Sequence, residues 1–172
     1  HERSSAASDV YKRQERDSTW TTWYENGNKK FLASYSDGKL NGKYIRWYEG
    51  GIIKELDGEY LNNKKHKKWI YWGKNGQKAE EINFNNGVHH GSHIKWFGEK
   101  SDQHKKFHIN YKDGKKDGNW RHWYSSGIDS LKATYLNGEK DGHWIWWRKN
   151  GLKDKEGFYK KEKKHGLWTI WN

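Results

Sequence analysis

One phrase recurs seven times along the chain, as DSTWTTWYENG, NGKYIRWYEGG, KKWIYWGKNG, GSHIKWFGEK, GNWRHWYSSG, GHWIWWRKNG and GLWTIWN. The second Trp of the phrase stands at positions 23, 47, 72, 96, 123, 147 and 171, so successive gaps are 24, 25, 24, 27, 24 and 24 residues. Three residues before it comes another ring: Trp20, Tyr44, Trp69, His93, Trp120, Trp144 and Trp168. Of the 13 Trp residues only Trp146 falls outside these two positions. A unit this short cannot bury an apolar face by itself. A fixed period therefore predicts identical modules stacked side by side, each covering its neighbour.

Each unit has a second half. An aromatic recurs at Tyr35, Tyr60, Phe84, Tyr111, Tyr135 and Tyr159. Three residues later stands Gly38, Asn63, Gly87, Gly114, Gly138 or Glu162, a turn residue in every case but the last. The pairs Asn26-Gly27, Asn75-Gly76 and Asn150-Gly151 mark hairpin tips, expected as type I′ turns with both central residues left-handed. Each unit thus reads as two short antiparallel strands, with the seventh stopping after its first strand. Thirteen strands at ~4.8 Å spacing would span roughly 60 Å. The expected fold is all-β: an elongated, curved single antiparallel sheet of stacked β-hairpin repeats, solenoid-like, in about seven units of ~24 residues. The repeats fall near 17–41, 42–66, 67–90, 91–117, 118–141 and 142–165, with a truncated copy at 166–172. Repeat four carries about three extra residues between Gly98 and Lys106, so that loop is expected to protrude.

Strand alternation assigns the faces. With Asn26-Gly27 at the tip, Tyr24 is expected opposite Lys29, Thr22 opposite Phe31, Trp20 opposite Ala33 and Ser18 opposite Tyr35. One face then collects the first ring of the phrase, the second-strand Tyr and small residues such as Ala33, Gly58, Ala133 and Gly157, and is expected to pack on itself. The other face carries the second Trp beside Ile45, Ile70, Ile94 or Ile145. Polar residues such as Asp57, Glu59, Glu81, Asn83, Asn110 and Lys132 stand between them.

Composition sharpens this picture. Charged residues make up 33% of the chain and apolar ones 31%, a balance that by itself points to disorder. Thirteen Trp and 11 Tyr argue the other way, because each ring removes a large area from water when it packs. There is no Cys, which excludes disulfides and thiolate metal sites. No apolar run approaches the ~20 residues of a membrane-spanning helix. Residues 4–14, SSAASDVYKRQ, read codon by codon as the translation of a transposase sequencing adapter. Residues 1–16 are accordingly set apart as an adapter-derived, disordered segment, and the native N-terminus is expected to be missing. Whether the protein stays in the cytoplasm or is exported stays open.

The consensus N-G-x-x-[DNH]-G-x-W-x-x-W-Y-x-x-G, followed by x-x-x-Y-x-x-G, resembles the MORN repeat variant of many bacterial proteins. NGEKDGHWIWWRKNG is the nearest stretch, and the resemblance covers residues 17–172. It implies an elongated, curved sheet of stacked hairpins. It also implies non-enzymatic roles: protein–protein interaction, with antitoxin-like members, and in related MORN proteins membrane-lipid association. The departures are His93 for the first Trp, Gly73 and Arg148 for the Tyr after the second, and Lys67 for a turn Gly.

Two sets of residues are candidate binding sites. The second-Trp row (Trp23, Trp47, Trp72, Trp96, Trp123 and Trp147) offers aromatic anchors for a partner if the rings are exposed. Lysines at the turns linking successive repeats (Lys64, Lys65, Lys67, Lys68, Lys115, Lys116, Lys160, Lys161, Lys163 and Lys164) would line one rim as a basic stripe. The same lysines also keep an open sheet from edge-to-edge association. His66, His90 and His165 share the position before a turn Gly, or its equivalent, with Asn41, Asp117 and Asp141, where left-handed geometry is expected of them. Copies ~10 Å apart cannot share one metal ion. Nothing resembles a nucleophile elbow or a phosphate-binding loop, so neither catalysis nor a cofactor is expected. The expected partner is another protein, with anionic membrane lipid on the Lys rim or a glycan on the Trp/Tyr face as alternatives. Nucleic acid is disfavoured, since Arg is scarce and no nucleic-acid-binding module is present.

Overall fold

The computed structural model describes residues 17–98 and 104–172. The adapter-like segment and most of the loop between Gly98 and Lys106 lie outside the described residues. Fourteen strands follow in chain order: β1 Ser18–Trp23, β2 Lys29–Ser36, β3 Lys39–Trp47, β4 Lys54–Leu61, β5 Lys64–Trp72, β6 Lys78–Asn85 and β7 Val88–Trp96. The second half contains β8 Lys105–Lys112, β9 Lys115–Trp123, β10 Asp129–Leu136, β11 Glu139–Lys140, β12 Gly142–Trp147, β13 Lys153–Lys160 and β14 Lys163–Ile170. All pair antiparallel with their sequence neighbours in one open sheet. β11 is the short beginning of the β12 strand, cut off at Asp141, so the path across the sheet has the thirteen rungs expected of six hairpins and a half.

The expected pairings Thr22–Phe31, Trp20–Ala33 and Ser18–Tyr35 are present, but Trp23 rather than Tyr24 lies opposite Lys29. The cause is the turn. Gly27 N donates to Tyr24 O (3.0 Å) and Tyr24 N donates to Asn28 O (2.8 Å), while only Gly27 of the central pair is left-handed. This is a turn closed by a glycine bulge, not type I′. Asn26 stays right-handed because its Oδ1 accepts from Asn28 N (3.0 Å). Asn75 and Asn150 do the same with Gln77 N and Leu152 N, both at 3.1 Å. In repeat two the closing bond runs from Tyr48 N to Ile53 O, one residue longer, which accounts for the 25-residue gap there.

True I′ pairs lie at the other end, where repeats join. Asp37-Gly38, Asn62-Asn63, Asn86-Gly87, Asp113-Gly114, Asn137-Gly138 and Lys161-Glu162 all have positive φ at both residues. Just beyond each link the strand leading the next hairpin carries a second irregularity: Ala33 pairs with Tyr44 and Tyr35 with Leu40, leaving Asn41-Gly42-Lys43 opposite Ser34 alone. The left-handed residue there is Gly42, Lys67, Gly91, Gly118, Gly142 or Gly166. The preceding Asn, Asp or His, expected to be left-handed, is not. Its side chain is an acceptor instead: Asp17 takes Asp37 N (2.5 Å), Asp117 takes Asn137 N (3.0 Å), and His90 Nδ1 takes Asp113 N (3.4 Å).

The core occupies the face predicted to pack on itself. Leu56, Trp69, Ile82 and Phe84 form one buried cluster flanked by Tyr44, Tyr60 and Tyr71. Ala133, Tyr135 and Trp144 form another, flanked by Trp120, Leu131, Trp146 and Tyr159. Rings meet mostly edge to face, as Tyr60 does with Trp69 (centroids 4.9 Å) and Trp120 with Trp144 (5.9 Å). Between the clusters, His93 stands where other repeats have the first Trp. Its Nε2 lies 2.7 Å from Glu80 Oε1, and this bond holds the Glu80 carboxyl below its ordinary range.

Candidate functional site

The second-Trp row forms as expected, one indole at the end of the first strand of every repeat. Trp23 on the outer strand is exposed, whereas Trp47, Trp72, Trp96, Trp123 and Trp147 are half-buried. Two kinds of contact hold them. Cations cover several rings: Lys132 Nζ lies 5.3 Å from the Trp147 ring centroid and the Arg121 guanidinium 4.8 Å from that of Trp123. The backbone carbonyls are latched from the preceding repeat by the residue after its own second Trp. Tyr24 Oη donates to Trp47 O (2.7 Å), Tyr48 Oη to Trp72 O (2.8 Å) and Tyr124 Oη to Trp147 O (2.8 Å). Arg148, which replaces Tyr at this position, donates to Trp171 O through Nη2 and so preserves the latch. Gly73 and Phe97 have no side-chain donor to offer. The row is therefore a structural seam as well as a presented surface.

The Lys rim divides in two. Lys65, Lys116 and Lys164 turn inward over the first-Trp rings, their ammonium groups 4.5, 4.0 and 4.4 Å from the centroids of Trp69, Trp120 and Trp168. Burial pushes the Lys116 amine below its ordinary value. Lys67 is left-handed and its ammonium pairs with Glu59 at 2.8 Å. Lys64 and Lys115 lay their stems along the next link, with Cβ atoms 3.5 and 3.6 Å from where a side chain on Gly87 or Gly138 would begin. Of the ten, Lys65 and Lys116 are half-buried, while Lys64, Lys67, Lys68, Lys115, Lys160, Lys161, Lys163 and Lys164 are exposed. Lys65 and Lys116 thus belong to the packing, while the other eight lysines of the expected basic stripe stay exposed along the rim. The Trp row borders the hairpin tips and the Lys rim the links, so a strand length of about 25 Å separates the two candidate sites.

On the second face, carboxylates and lysines three residues apart pair in a repeating order. Lys54 meets Asp57 (2.6 Å), Lys78 meets Glu81 (2.9 Å) and Lys153 meets Glu156 (2.8 Å). In repeat five the order is reversed, with Asp129 pairing Lys132 at 3.3 Å. Asp129 also receives Arg121, through Nε at 2.7 Å and Nη2 at 2.8 Å. Sequence reading placed Lys132 among the polar residues of this face but missed the reversal; the signal was D-x-x-K at 129–132 where repeats two, three and six have K-x-x-[DE].

Among the described residues no group of three or more His, Asp or Glu side chains is placed to share a metal ion, and no helix is long and apolar enough to cross a membrane. No protein-family model matches the chain, and no curated protein matches it significantly.

Proposed function

We propose that the protein is a non-enzymatic scaffold that binds another protein through the second face of its sheet. The observation that carries this reading is the division of labour between the faces. The first face is consumed by its own rings, with Trp69 and Trp144 buried. The second presents a regular series of half-buried indoles beside ion-paired polar residues. Rigid aromatic anchors set among polar groups are the usual make-up of a protein-binding surface. The MORN-like phrase supports the same role, including an antitoxin-like one in which the partner is a toxin. A lipid-binding rim has less behind it, because Lys65 and Lys116 are half-buried over indole rings and Lys67 is paired with Glu59.

The test is hydroxyl-radical footprinting of the full chain, alone and with the protein that co-purifies with it in stoichiometric amount from host cells. Protection of Trp23, Trp47, Trp72, Trp96, Trp123 and Trp147 over the first-Trp rings supports the reading. Protection confined to the first face, or the absence of a stoichiometric protein partner, overturns it.

A further inference from the structure

A single row of directly opposed residues crosses the second face from strand to strand. It runs Leu32, Ile45, Asp57, Ile70, Glu81, Ile94, His108, Arg121, Lys132, Ile145, Glu156, Thr169. From Ile45 to Ile94 an aliphatic side chain alternates with a carboxylate, and Ile145–Glu156 resumes the alternation. Between them stand three consecutive nitrogen bases on β8, β9 and β10. Directly opposed side chains have Cβ atoms about 5 Å apart, and like charges so placed repel. Arg121 opposite Lys132 therefore works against the sheet. Residues that break a fold's own pattern at a cost, where the other repeats show the cheaper solution, mark positions kept for another purpose.

The same three residues line an open groove of about 460 Å³, together with Asn119, Thr134 and His143. Two carboxylates approach it. Asp129 is shared between Arg121 and Lys132, so one positive charge is left uncompensated there. Glu156 is taken by Lys153 at 2.8 Å and by His143 at 3.5 Å. His108 Nε2 lies 2.9 Å from Ser92 Oγ, and its ring is held below its ordinary value by burial and by Lys105. Of the three bases, Arg121 and Lys132 carry the fixed charges, and hydroxyl, amide and imidazole groups surround them in the groove.

We infer that this groove receives a carboxylate side chain from an acidic segment of the partner protein, seated between Arg121 and Lys132. The inference rests on the protein-binding reading of this face and adds the chemistry of the contact. A carboxylate placed there restores the alternation that Asp57, Glu81 and Glu156 maintain elsewhere, and it forms charge-assisted hydrogen bonds with both cations. The cluster sits on adjacent rigid strands, so its geometry is set before the partner arrives.

The experiment uses a fluorescent hexaglutamate peptide and the full chain. The double variant Asp129→Lys/Lys132→Glu restores the K-x-x-E order without changing net charge and gives Arg121 a carboxylate directly opposite. It is expected to weaken peptide binding about tenfold while the chain still unfolds in one cooperative transition, even though the Lys132 contact with the Trp147 ring is lost. Lys115→Glu on the rim lowers net charge by two and should weaken binding less than about twofold. If the double variant melts early, Arg121→Ile, which installs the aliphatic residue of the other repeats, replaces it with the same expectation. Undiminished binding by the variant that folds, or a larger loss from Lys115→Glu, shows diffuse attraction and overturns the inference. So does tighter binding, by the same groove, to phosphatidylserine vesicles, single-stranded DNA or free acetate. If the peptide fails while a protein partner still protects the second-row indoles, the groove assignment alone falls.

Discussion

The indole of Trp69 lies flat on Gly58. A Cβ built on that glycine would come within 2.3 Å of Trp69 Cδ2 and 2.4 Å of Cε2, while Trp69 Nε1 donates to the carbonyl of the next residue, Glu59, at 3.0 Å. Trp168 lies over Gly157 in the same way, at 2.3 and 2.4 Å, but its Nε1 has no such acceptor. In each case the first Trp of one repeat uses the bare backbone of the preceding hairpin as its floor.

Gly58→Ala tests that floor. Reduced freedom of the unfolded chain favours Ala by about 0.4–1 kcal/mol. Against this, the new methyl must displace the most buried ring of the molecule, and overpacking of that kind costs about 1–3 kcal/mol. The net expectation is a loss of about 1–2 kcal/mol in chemical denaturation. Gly157→Ala should cost less, because Trp168 stands on the outermost strand and can move outward. Equal stability of wild type and Gly58→Ala would show that the ring does not sit where the packing requires it.

The Tyr latch is separable from ring packing. Tyr48→Phe keeps the ring and removes the 2.8 Å bond to Trp72 O. A net loss of about 0.5–1.5 kcal/mol is expected. Faster amide exchange should be confined to the tips of repeats two and three, since the core rings on the opposite face are untouched. Exchange that rises uniformly along the sheet would contradict this local role.

Much of this architecture could be read from the residues because a strand has a period of two and the repeat has a period of 24. Trp20 opposite Ala33 and Gly42 opposite Tyr60 follow from alternation alone. The tip turns could not be read the same way. Asn-Gly suits both a type I′ turn and a glycine-bulge turn, and the choice depends on Asn26 Oδ1 capping Asn28 N, a contact with no signature in the residue pair. The left-handed position was misplaced by one residue for a similar reason, since Asn, Asp and His serve equally well as acceptors next to it. The basic row was hidden most deeply. Ile94, His108, Arg121 and Lys132 are separated by unequal stretches of chain, and the bulge carried by each of the strand pairs brings them into line.

Lys161-Glu162 is the one link whose two left-handed residues include neither Gly nor Asn nor Asp. An ordinary side chain in that region costs about 1 kcal/mol, and Asn is much better tolerated. Lys161→Asn keeps the backbone bond from residue 161 to Asp141 Oδ2 and should raise stability by about 0.5–1 kcal/mol in urea unfolding. It also leaves in place the bond from Lys140 N to Glu162 Oε1 (2.6 Å), through which Glu162 does what Asn63 Oδ1 does for Leu40 N. A destabilised variant would mean that the Lys161 side chain contributes more than the strain it brings.

Three histidines of repeats three to five, His89, His108 and His122, make stability depend on pH, and the sign follows from burial. His122 packs edge-on against Trp120 (centroids 5.0 Å) and stacks with Phe107 (5.6 Å); burial first, then Lys116 and Lys106, hold it below its ordinary value of 6.5. Burial and neighbouring cations likewise lower His89 and His108. Each ring is neutral in the folded chain and takes up a proton more readily once unfolded. Below pH 6.5 the unfolded state therefore binds more protons, and stability falls as pH drops toward the folded values. Glu80 works in the same direction at lower pH, below its ordinary 4.5, because its bond to His93 favours the carboxylate. Urea midpoints should hold steady from pH 8 to 7 and decline from 6.5 to 5, before Glu80 contributes. His122→Phe preserves the stack and removes one titrating ring, so its decline over that interval should be shallower, by at most one proton's worth of slope. Parallel curves for wild type and His122→Phe would place the buried proton linkage elsewhere than this ring.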